Sequence, residues 1–222
     1  RIMHRGPDDY GAWVDRDSRI ALGHRRLSIL DLSVAGHQPM HSFNKRYVIS
    51  FNGEIYNHLE IRKKIKKESN KELIWRGHSD TETLLMAFEC WGVKQTLRKC
   101  VGMFAIALWD RHKHLLTLAR DRIGEKPLYY GWVNDAFVFG SELKALRAYP
   151  NFNNQICRKA LANYLRFNYV PTPLSIYKDI YKLEPGNFIE VYASNFTKTE
   201  ISSKKYWSLS AQVEIGKNEL IL

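Results

Sequence analysis

Residues 46–57, RYVISFNGEIYN, carry the strongest local signal in the chain. The first six residues of this run are mostly β-branched or aromatic, which predicts a strand over residues 46–51. Asn52 and Gly53 follow directly. That dipeptide is the commonest short hairpin signal, so taken alone it predicts a turn. The complete string is much more specific than a turn requires, which makes it a candidate functional motif.

Two helices are predicted around this strand. The first covers residues 57–68, and the second opens at a capping box in which Ser79 is the N-cap and Glu82 lies three residues later. Gly92 ends the second helix. Its core-facing side chains recur at helical spacing: Leu84, Leu85, Phe88 and Trp91.

The rest of the chain reads as strand pairs with helices outside them. Strands are predicted over residues 19–24, 103–109, 114–119, 128–132 and 136–139, and helices over 141–148 and 156–167. This arrangement predicts a layered α+β fold. Residues 201–222 are expected to form a connector.

Composition places the chain among ordinary globular proteins. Its 222 residues are 45% hydrophobic, which is enough for one sizeable core. No apolar run reaches the length of a membrane span, so no membrane partner is expected. The beginning of the sequence has no signal-peptide pattern. The three cysteines are too few and too irregular for a disulfide framework or a zinc site, and a cytoplasmic location is expected.

The formal net charge of +11 raises the question of a nucleic-acid partner. The densest basic run, residues 62–67, lies within the first predicted helix. Lysines there are typical of a solvated helix face. The sequence contains no recognised nucleic-acid-binding motif, so no nucleic-acid partner is expected.

Five short motifs occur in a fixed order: His4-Arg5-Gly6-Pro7-Asp8, Arg26-Leu27-Ser28-Ile29, Asn52-Gly53-Glu54-Ile55-Tyr56-Asn57, Gly77-His78-Ser79-Asp80 and Arg120-Asp121-Arg122-Ile123-Gly124. Together they resemble the glutamine-hydrolysing half of asparagine synthetases, which belongs to the class II glutamine amidotransferases. This resemblance implies a four-layer αββα sandwich of the N-terminal-nucleophile type. It also implies glutamine as the substrate, and no cofactor or metal in this domain.

Glutamine hydrolysis requires that two charged groups be held while an oxyanion forms at the side-chain amide. Arg26 is the candidate for the α-carboxylate, because a guanidinium fork matches a carboxylate in two parallel hydrogen bonds. The alternative is a surface arginine on a strand edge. The resemblance assigns the residues that follow, Leu27, Ser28, Ile29 and Leu30, to the same substrate-binding segment.

Asn52 and Gly53 are the candidate oxyanion hole. Two donors must converge on one oxygen, and a side-chain amide with the next backbone N–H satisfies that need where glycine permits close approach. Glu54 and Asp80 are candidates for the α-ammonium, whose three protons two carboxylates can share. For Asp80 the alternative is a purely structural role in the first helical turn.

The resemblance implies a nucleophile that is a cysteine at the first position of the mature chain, with its own α-amino group as base. Arg1 occupies the start of this sequence, and Cys90, Cys100 and Cys157 all lie far from such a setting. Cys100 follows Arg98 and Lys99, which favours a lowered thiol pKa. The first strand and the catalytic cysteine are therefore expected outside the given sequence.

The resemblance also sets the expected organisation. Residues 1–155 are assigned to the glutamine amidotransferase domain, and residues 156–222 to its C-terminal part and a connector toward a synthetase domain of the same polypeptide. That second domain is expected to need ATP and Mg²⁺ and to amidate aspartate. A homodimer is possible. Two alternatives stay open: an enzyme that amidates a sugar or another metabolite, and a non-catalytic glutamine-binding domain.

The remaining motifs are expected to support the site without contacting the substrate. Arg120, Asp121 and Arg122 read as a buried ion-pair cluster that positions the site. His24, His37 and His78 match no recognised metal-ligand spacing, so no metal site is predicted.

Overall fold

The computed structural model describes residues 1–69, 73–195 and 201–219. The strands are β1 (Asp9–Asp15), β2 (Ile20–Arg26), β3 (Met40–His41), β4 (Tyr47–Ile55), β5 (Gly102–Asp110), β6 (Leu115–Arg120), β7 (Tyr129–Val133), β8 (Ala136–Gly140), β9 (Ile180–Lys182), β10 (Asn187–Tyr192) and β11 (Ser203–Lys205). The helices are α1 (His58–Glu68), α2 (Asp80–Trp91), α3 (Val93–Lys99), α4 (Leu143–Leu146), α5 (Arg158–Phe167) and α6 (Leu209–Glu219). Every helix in these ranges is too short or too polar to cross a bilayer.

A six-stranded sheet forms the centre of the molecule, with the strand order β11-β10-β6-β5-β4-β3. All of its pairings are antiparallel. β4 and β5 pair along their full nine-residue lengths, and both are apolar on both faces over much of that length. Such continuous apolar strands are typical of a sheet that is covered on both sides.

The second layer consists of two smaller sheets: the hairpin β1-β2 and the three-stranded sheet β8-β7-β9. One core cluster joins this layer to the central sheet. It contains Ile20 and Leu22 of β2, Trp109 of β5 and Leu128, with the partly buried Phe139 of β8 packed against it. The central sheet and this second β layer therefore pack face to face.

Helices cover the outer faces. α1, α2 and α3 bury Ile61, Phe88 and Leu97 against the other face of the central sheet. On the opposite side, Leu146 of α4 packs against Val133 and Ile180 of the three-stranded sheet. The order of layers is helix, sheet, sheet, helix. The predicted α+β, four-layer αββα architecture is confirmed.

The Asn52-Gly53 pair is a strand segment, and the turn that the dipeptide predicts on its own is wrong. β4 continues to Ile55, and Asn52 and Gly53 pair with Ala105 and Phe104 of β5. The chain turns only after Ile55, at residues 56 and 57. The long partner strand β5 holds the dipeptide extended, so tertiary pairing overrides the local turn preference.

The N-cap bond of the predicted capping box is confirmed at the start of α2, but the reciprocal bond from Glu82 goes to other residues than Ser79. Ser79 Oγ accepts the backbone N–H of Glu82 at 3.2 Å. The Glu82 carboxylate reaches further back than expected and accepts the N–H groups of Arg76 and Gly77 at 2.8 and 3.1 Å. It therefore fixes the turn before the helix.

The segment read as a connector contains two elements. Residues Ser203–Lys205 add β11 to the edge of the central sheet, and α6 follows. The strand is made of exposed serine and lysine side chains, so no alternation of polar and apolar residues marks it in the sequence. Residues 220–222 lie outside the described residues.

Candidate functional site

The outer edge of β4 presents a row of backbone N–H groups beyond the end of β3. Two of them are occupied by side chains. Phe51 N–H donates to Gln38 Oε1 at 2.7 Å, and Ile55 N–H donates to Asp80 Oδ2 at 2.9 Å. Gly53 lies midway between them. Since alternate residues of a strand point their N–H groups to the same edge, Gly53 N–H faces the same side.

The pairing with β5 leaves Gly53 N–H unengaged. Phe104, directly opposite Gly53, uses both of its backbone groups toward Asp121: its N–H donates to Asp121 Oδ2 at 3.2 Å, and its carbonyl accepts from Asp121 N–H at 2.9 Å. Gly53 and Phe104 are thus a non-hydrogen-bonded pair. Among the described strands, this register gives Gly53 N–H no acceptor on β5, so the donor is open to a ligand.

Glycine is required at position 53 by packing as well. A Cβ there would lie 2.1 Å from the carbonyl oxygen of Met103 and 2.7 Å from Phe104 Cα. Any larger residue would push β4 away from β5 and displace the Gly53 N–H.

The side chain of Asn52 points to the opposite layer. Its Nδ2 donates to Ser141 Oγ at 3.2 Å, directly after the end of β8. Both residues line a cavity of about 930 Å³ between the β1-β2 hairpin and β8. Among the described strands, β2 and β8 each end a sheet, so each has one edge without a strand partner.

Asp80 lies at the outer edge of β4, two residues along from Gly53 at Ile55, and is only 5% exposed. Its carboxylate accepts the N–H groups of Ile55 and Thr81, each at 2.9 Å. Burial, together with the nearby charge of Glu54, raises the pKa of Asp80 to about 6, although the backbone hydrogen bonds from Ile55 and Thr81 oppose the shift. The position therefore favours a cation that would stabilise the ionised carboxylate.

Arg26 ends β2 and is half-buried. Its guanidinium donates to the carbonyl oxygens of Asp31 and Ser33, and a Cβ at Gly36 would collide with it. These contacts fold residues 27–33 into a loop around the arginine. These bonds use two of the five guanidinium donors.

The predicted substrate segment, residues 27–30, lies at the protein surface directly after Arg26 and is called the rim below. Leu27, Ile29 and Leu30 are exposed, and Ser28 is half-buried. Ser28 N–H donates to Asp8 Oδ2 at 2.8 Å, which ties the rim to the first motif.

Asp31 joins the arginine loop to the turn before Asp80. Its carboxylate accepts the N–H groups of Ser33 at 2.9 Å and His78 at 3.0 Å, and the Ser33 hydroxyl at 2.6 Å. Hydrogen bonds from Ser33 and His78 hold the pKa of Asp31 at about 2. Asp31 is absent from the predicted site residues, because nothing in the neighbouring sequence distinguishes it from a solvated loop aspartate.

Arg62 of α1 also holds the turn at residues 77–79, which precedes Asp80. Its guanidinium donates to the carbonyl oxygens of Gly77 and Ser79 at 3.1 and 3.0 Å, and lies 4.0 Å from the centre of the Trp75 ring. The turn that delivers Asp80 is therefore fixed by both Asp31 and Arg62. Sequence reasoning placed Arg62 in a solvated basic run, and its side chain is instead only 14% exposed.

The Arg120-Asp121-Arg122 cluster is built differently from the expected ion-pair cluster. Arg120 donates to the carbonyl oxygens of Lys126, Leu183 and Gly124, each at 2.7 Å. Asp121 accepts backbone N–H groups, as described above for Phe104. The two charges are satisfied by backbone groups because the tight turn at 121–126 presents them to both side chains.

The cysteines do not enter the site. Cys100 is fully buried, and burial raises the pKa of its thiol to about 12, so the expected lowering by Arg98 and Lys99 is wrong. Cys90 is exposed and its thiol pKa is also raised by partial desolvation. Within the described residues, no group of three His, Cys, Asp or Glu side chains is placed to hold a metal ion.

The sequence matches a family model described as the glutamine amidotransferase domain over residues 1–207. The chain belongs to this family. A putative asparagine synthetase (glutamine-hydrolyzing) of Methanocaldococcus jannaschii is 36% identical over 94% of this chain and 42% of the relative. Asparagine synthetase (glutamine-hydrolyzing) 1 of Bacillus subtilis is 39% identical over 84% of this chain and 28% of the relative. The domain therefore spans less than half the length of these curated relatives.

A solved structure supports the fold. The glutamine phosphoribosylpyrophosphate amidotransferase from B. subtilis superimposes with a TM-score of 0.55 at 20% identity, over 84% of this chain and 35% of that chain. The sequence-based resemblance to a class II glutamine amidotransferase and the predicted N-terminal-nucleophile type of fold are both confirmed.

Proposed function

We propose that this domain hydrolyses glutamine to glutamate and ammonia as the glutaminase half of an asparagine synthetase-like enzyme. One observation carries the proposal: Gly53 N–H is open on an edge where the neighbouring donors, Phe51 N–H and Ile55 N–H, are both occupied. Ile55 N–H is occupied by Asp80, a carboxylate whose raised pKa favours binding a cation. A free donor beside a cation site suits an amide substrate that carries an ammonium group.

In the proposed reaction, a thiolate attacks the side-chain carbonyl carbon of glutamine and forms a tetrahedral intermediate. Its oxyanion receives hydrogen bonds from Gly53 N–H and Asn52 Nδ2–H. Collapse expels ammonia after proton transfer to nitrogen and leaves a γ-glutamyl thioester, which water hydrolyses to glutamate. Each oxyanion donor is worth about 3–4 kcal/mol of transition-state stabilisation in comparable enzymes.

Arg26 binds the α-carboxylate of glutamine in this proposal, and Glu54 with Asp80 binds the α-ammonium. The loop contacts of Arg26 and the Asp31 link to His78 support it, because they bring the anion-binding and cation-binding residues to one edge of β4. The exposed side chains of residues 27–30 form the rim over the bound substrate.

The nucleophile is proposed to be an N-terminal cysteine on a strand that lies between β2 and β8. The cavity of about 930 Å³ supports this placement, since it separates two strands with open edges and has Asn52 in its lining. A strand there would join the two small sheets into one layer and bring its first residue beside the oxyanion donors.

The proposed partner is an ATP- and Mg²⁺-dependent synthetase domain of the same polypeptide, which transfers the ammonia to activated aspartate. The greater length of the relatives named above supports it. We propose that residues 1–155 form the main part of the glutaminase domain. Residues 156–222 are its C-terminal part, which adds β9, β10 and β11 to the sheets, and the connector. A cytoplasmic homodimer is also proposed.

The test measures glutamate release by the full-length protein, with and without aspartate and Mg-ATP. Asn52→Ala is expected to reduce kcat by about 100-fold or more. Asn154→Ala, at an exposed asparagine, is the matched control and is expected to retain full activity. Unchanged glutamate release by Asn52→Ala would contradict the proposed site. Glutamate release without asparagine formation would contradict the aspartate acceptor.

A further inference from the structure

Ser141 connects the proposed oxyanion hole to the opposite sheet. It follows β8 of the three-stranded sheet, whereas Asn52 belongs to β4 of the central sheet. The hydrogen bond from Asn52 Nδ2 to Ser141 Oγ, at 3.2 Å, therefore crosses between the two β layers and joins residues 89 positions apart in sequence.

An asparagine amide needs such a contact to serve as a defined donor. Rotation about its terminal torsion is broad, so the amide plane is not fixed by rotamer preference alone. Ser141 is the side-chain partner recorded for Asn52 within the described ranges. By accepting one of the two amide hydrogens it fixes the plane, and the second hydrogen is left for a ligand oxygen.

The position of Ser141 is itself held by its neighbour. The Glu142 carboxylate accepts Arg5 Nη1 at 3.0 Å and lies 3.0 Å from Lys144 Nζ and 3.4 Å from His4 Nε2. Burial alone would raise the pKa of Glu142, but the hydrogen bonds from Arg5 and Lys144 outweigh it and hold the pKa at about 2. Glu142 therefore stays charged and ties the end of β8 to the first sequence motif.

The surroundings favour a role in the cavity over a role in packing. Ser141 is half-buried and lines the same cavity as Asn52, and it lies at the end of β8 rather than inside the core clusters. A serine there contributes little apolar burial. Its hydroxyl oxygen instead accepts the hydrogen bond from the Asn52 amide.

We propose that Ser141 is a positioning residue that orients the Asn52 amide so that its second N–H converges with Gly53 N–H on the oxyanion. This inference rests on the proposed function and adds a residue to it. Ser141 makes no bond to the substrate and exchanges no proton in the reaction. It acts entirely through Asn52.

The test is a double-mutant cycle in the full-length protein, read as kcat and KM for glutamine hydrolysis. Ser141→Ala is expected to lower kcat by about 10- to 100-fold, since small displacements of a catalytic group have effects of that size, with KM changed less than about twofold. Ser141→Thr keeps the hydroxyl and is expected to restore most of kcat. Ser202→Ala, at an exposed serine, is the control.

The decisive comparison is between the kcat of the double variant, Asn52→Ala with Ser141→Ala, and the kcat of Asn52→Ala alone. If Ser141 acts through Asn52, the second substitution has no further effect on kcat, because the group that it positions is already gone. A full additional loss in the double variant would overturn the inference, as would an unchanged kcat in Ser141→Ala. A rise in KM that matches the fall in kcat would reveal a general structural role and overturn it too.

These outcomes are distinct from failure of the proposed function. If the unaltered full-length protein releases no glutamate from glutamine, the proposed function is overturned and this inference with it. If the unaltered protein is active and Ser141→Ala is equally active, only the role of Ser141 is overturned.

Discussion

Asp121 and Asp80 are both buried aspartates next to the central strands, and they are used in different ways. Asp121 is completely buried, and its carboxylate accepts five backbone N–H groups, from Phe104, Ile123, Gly124, Glu125 and Lys126. Asp80 is 5% exposed and accepts two, from Ile55 and Thr81. The pKa of Asp80 is raised to about 6 by burial.

The comparison separates a structural carboxylate from one prepared for a ligand. A carboxylate has about four lone-pair sites for hydrogen bonds, so five donors leave Asp121 saturated. Asp80 has unfilled acceptor capacity in a site that disfavours its charge. A ligand ammonium would relieve that cost, so the proposed role of Asp80 is in substrate binding, whereas the hydrogen bonds of Asp121 stabilise the fold.

The largest expected effect is on stability at Asp121. Asp121→Asn replaces one acceptor oxygen by an NH₂ group that faces two backbone donors, from Phe104 and Lys126. We expect a loss of about 3 kcal/mol or more in the free energy of unfolding, measured by urea denaturation. Asp135→Asn, at an exposed turn residue, is the control and should change little. A loss below about 1 kcal/mol at Asp121 would remove the structural half of the comparison.

The next effect is on glutamine affinity at Asp80. Asp80→Asn removes the charge that is proposed to bind the α-ammonium, and we expect about 30-fold weaker binding, or about 2 kcal/mol. Calorimetric titration of the full-length protein measures it. Stability should fall by less than in Asp121→Asn, because the new NH₂ group faces one backbone donor rather than two and the uncharged side chain avoids the burial cost of the carboxylate. Equal glutamine affinity in the variant and the unaltered protein would show that Asp80 is structural, like Asp121.

The pH dependence of glutamine affinity tests whether Asp80, unlike Asp121, binds the ligand. Since the pKa of Asp80 is about 6 without ligand, its carboxyl must lose a proton to bind the ammonium below that pH. Glutamine affinity is therefore expected to be constant above about pH 7 and to fall roughly tenfold per unit below about pH 6. Asp80→Asn should abolish this dependence. A flat affinity from pH 8 to pH 5 in the unaltered protein would contradict the assignment.

The smallest effect concerns Asp31, whose pKa is held at about 2. Because the folded-state pKa lies below its ordinary value of 3.8, Asp31 stabilises the fold above about pH 4, and this contribution disappears as pH falls through 2. Asp31→Asn is expected to cost about 1 kcal/mol at pH 7, after allowance for solvent screening, and only a small fraction of that near pH 2. Equal costs at both pH values, by thermal unfolding, would count against a charged Asp31.

Local sequence was sufficient for the elements whose signals are local. The Ser79 capping box and Gly92 set both ends of α2 in agreement with the structure. The apolar run at residues 103–109 is contained in β5. These predictions held because capping and hydrophobic periodicity depend on a few neighbouring residues.

The site residues depend on contacts between distant segments, which sequence patterns do not reveal. The open N–H of Gly53 follows from the register of β4, β5 and the Asp121 turn taken together. Ser141 contacts Asn52 from a different sheet. The pKa of Cys100 was predicted from neighbouring cations, and its complete burial reverses the direction. The roles assigned to Arg26, Glu54 and Asp80 stay predictions.

One binding measurement tests the central claim that the β4 edge binds the α-ammonium of glutamine at Asp80. It compares glutamine with 4-carbamoylbutanoate, which lacks the α-amino group, by calorimetry on the full-length protein with its nucleophilic cysteine replaced by alanine. We expect glutamine to bind at least about 30-fold more tightly than 4-carbamoylbutanoate, and Asp80→Asn to remove most of this preference. Equal affinities for the two compounds would contradict it.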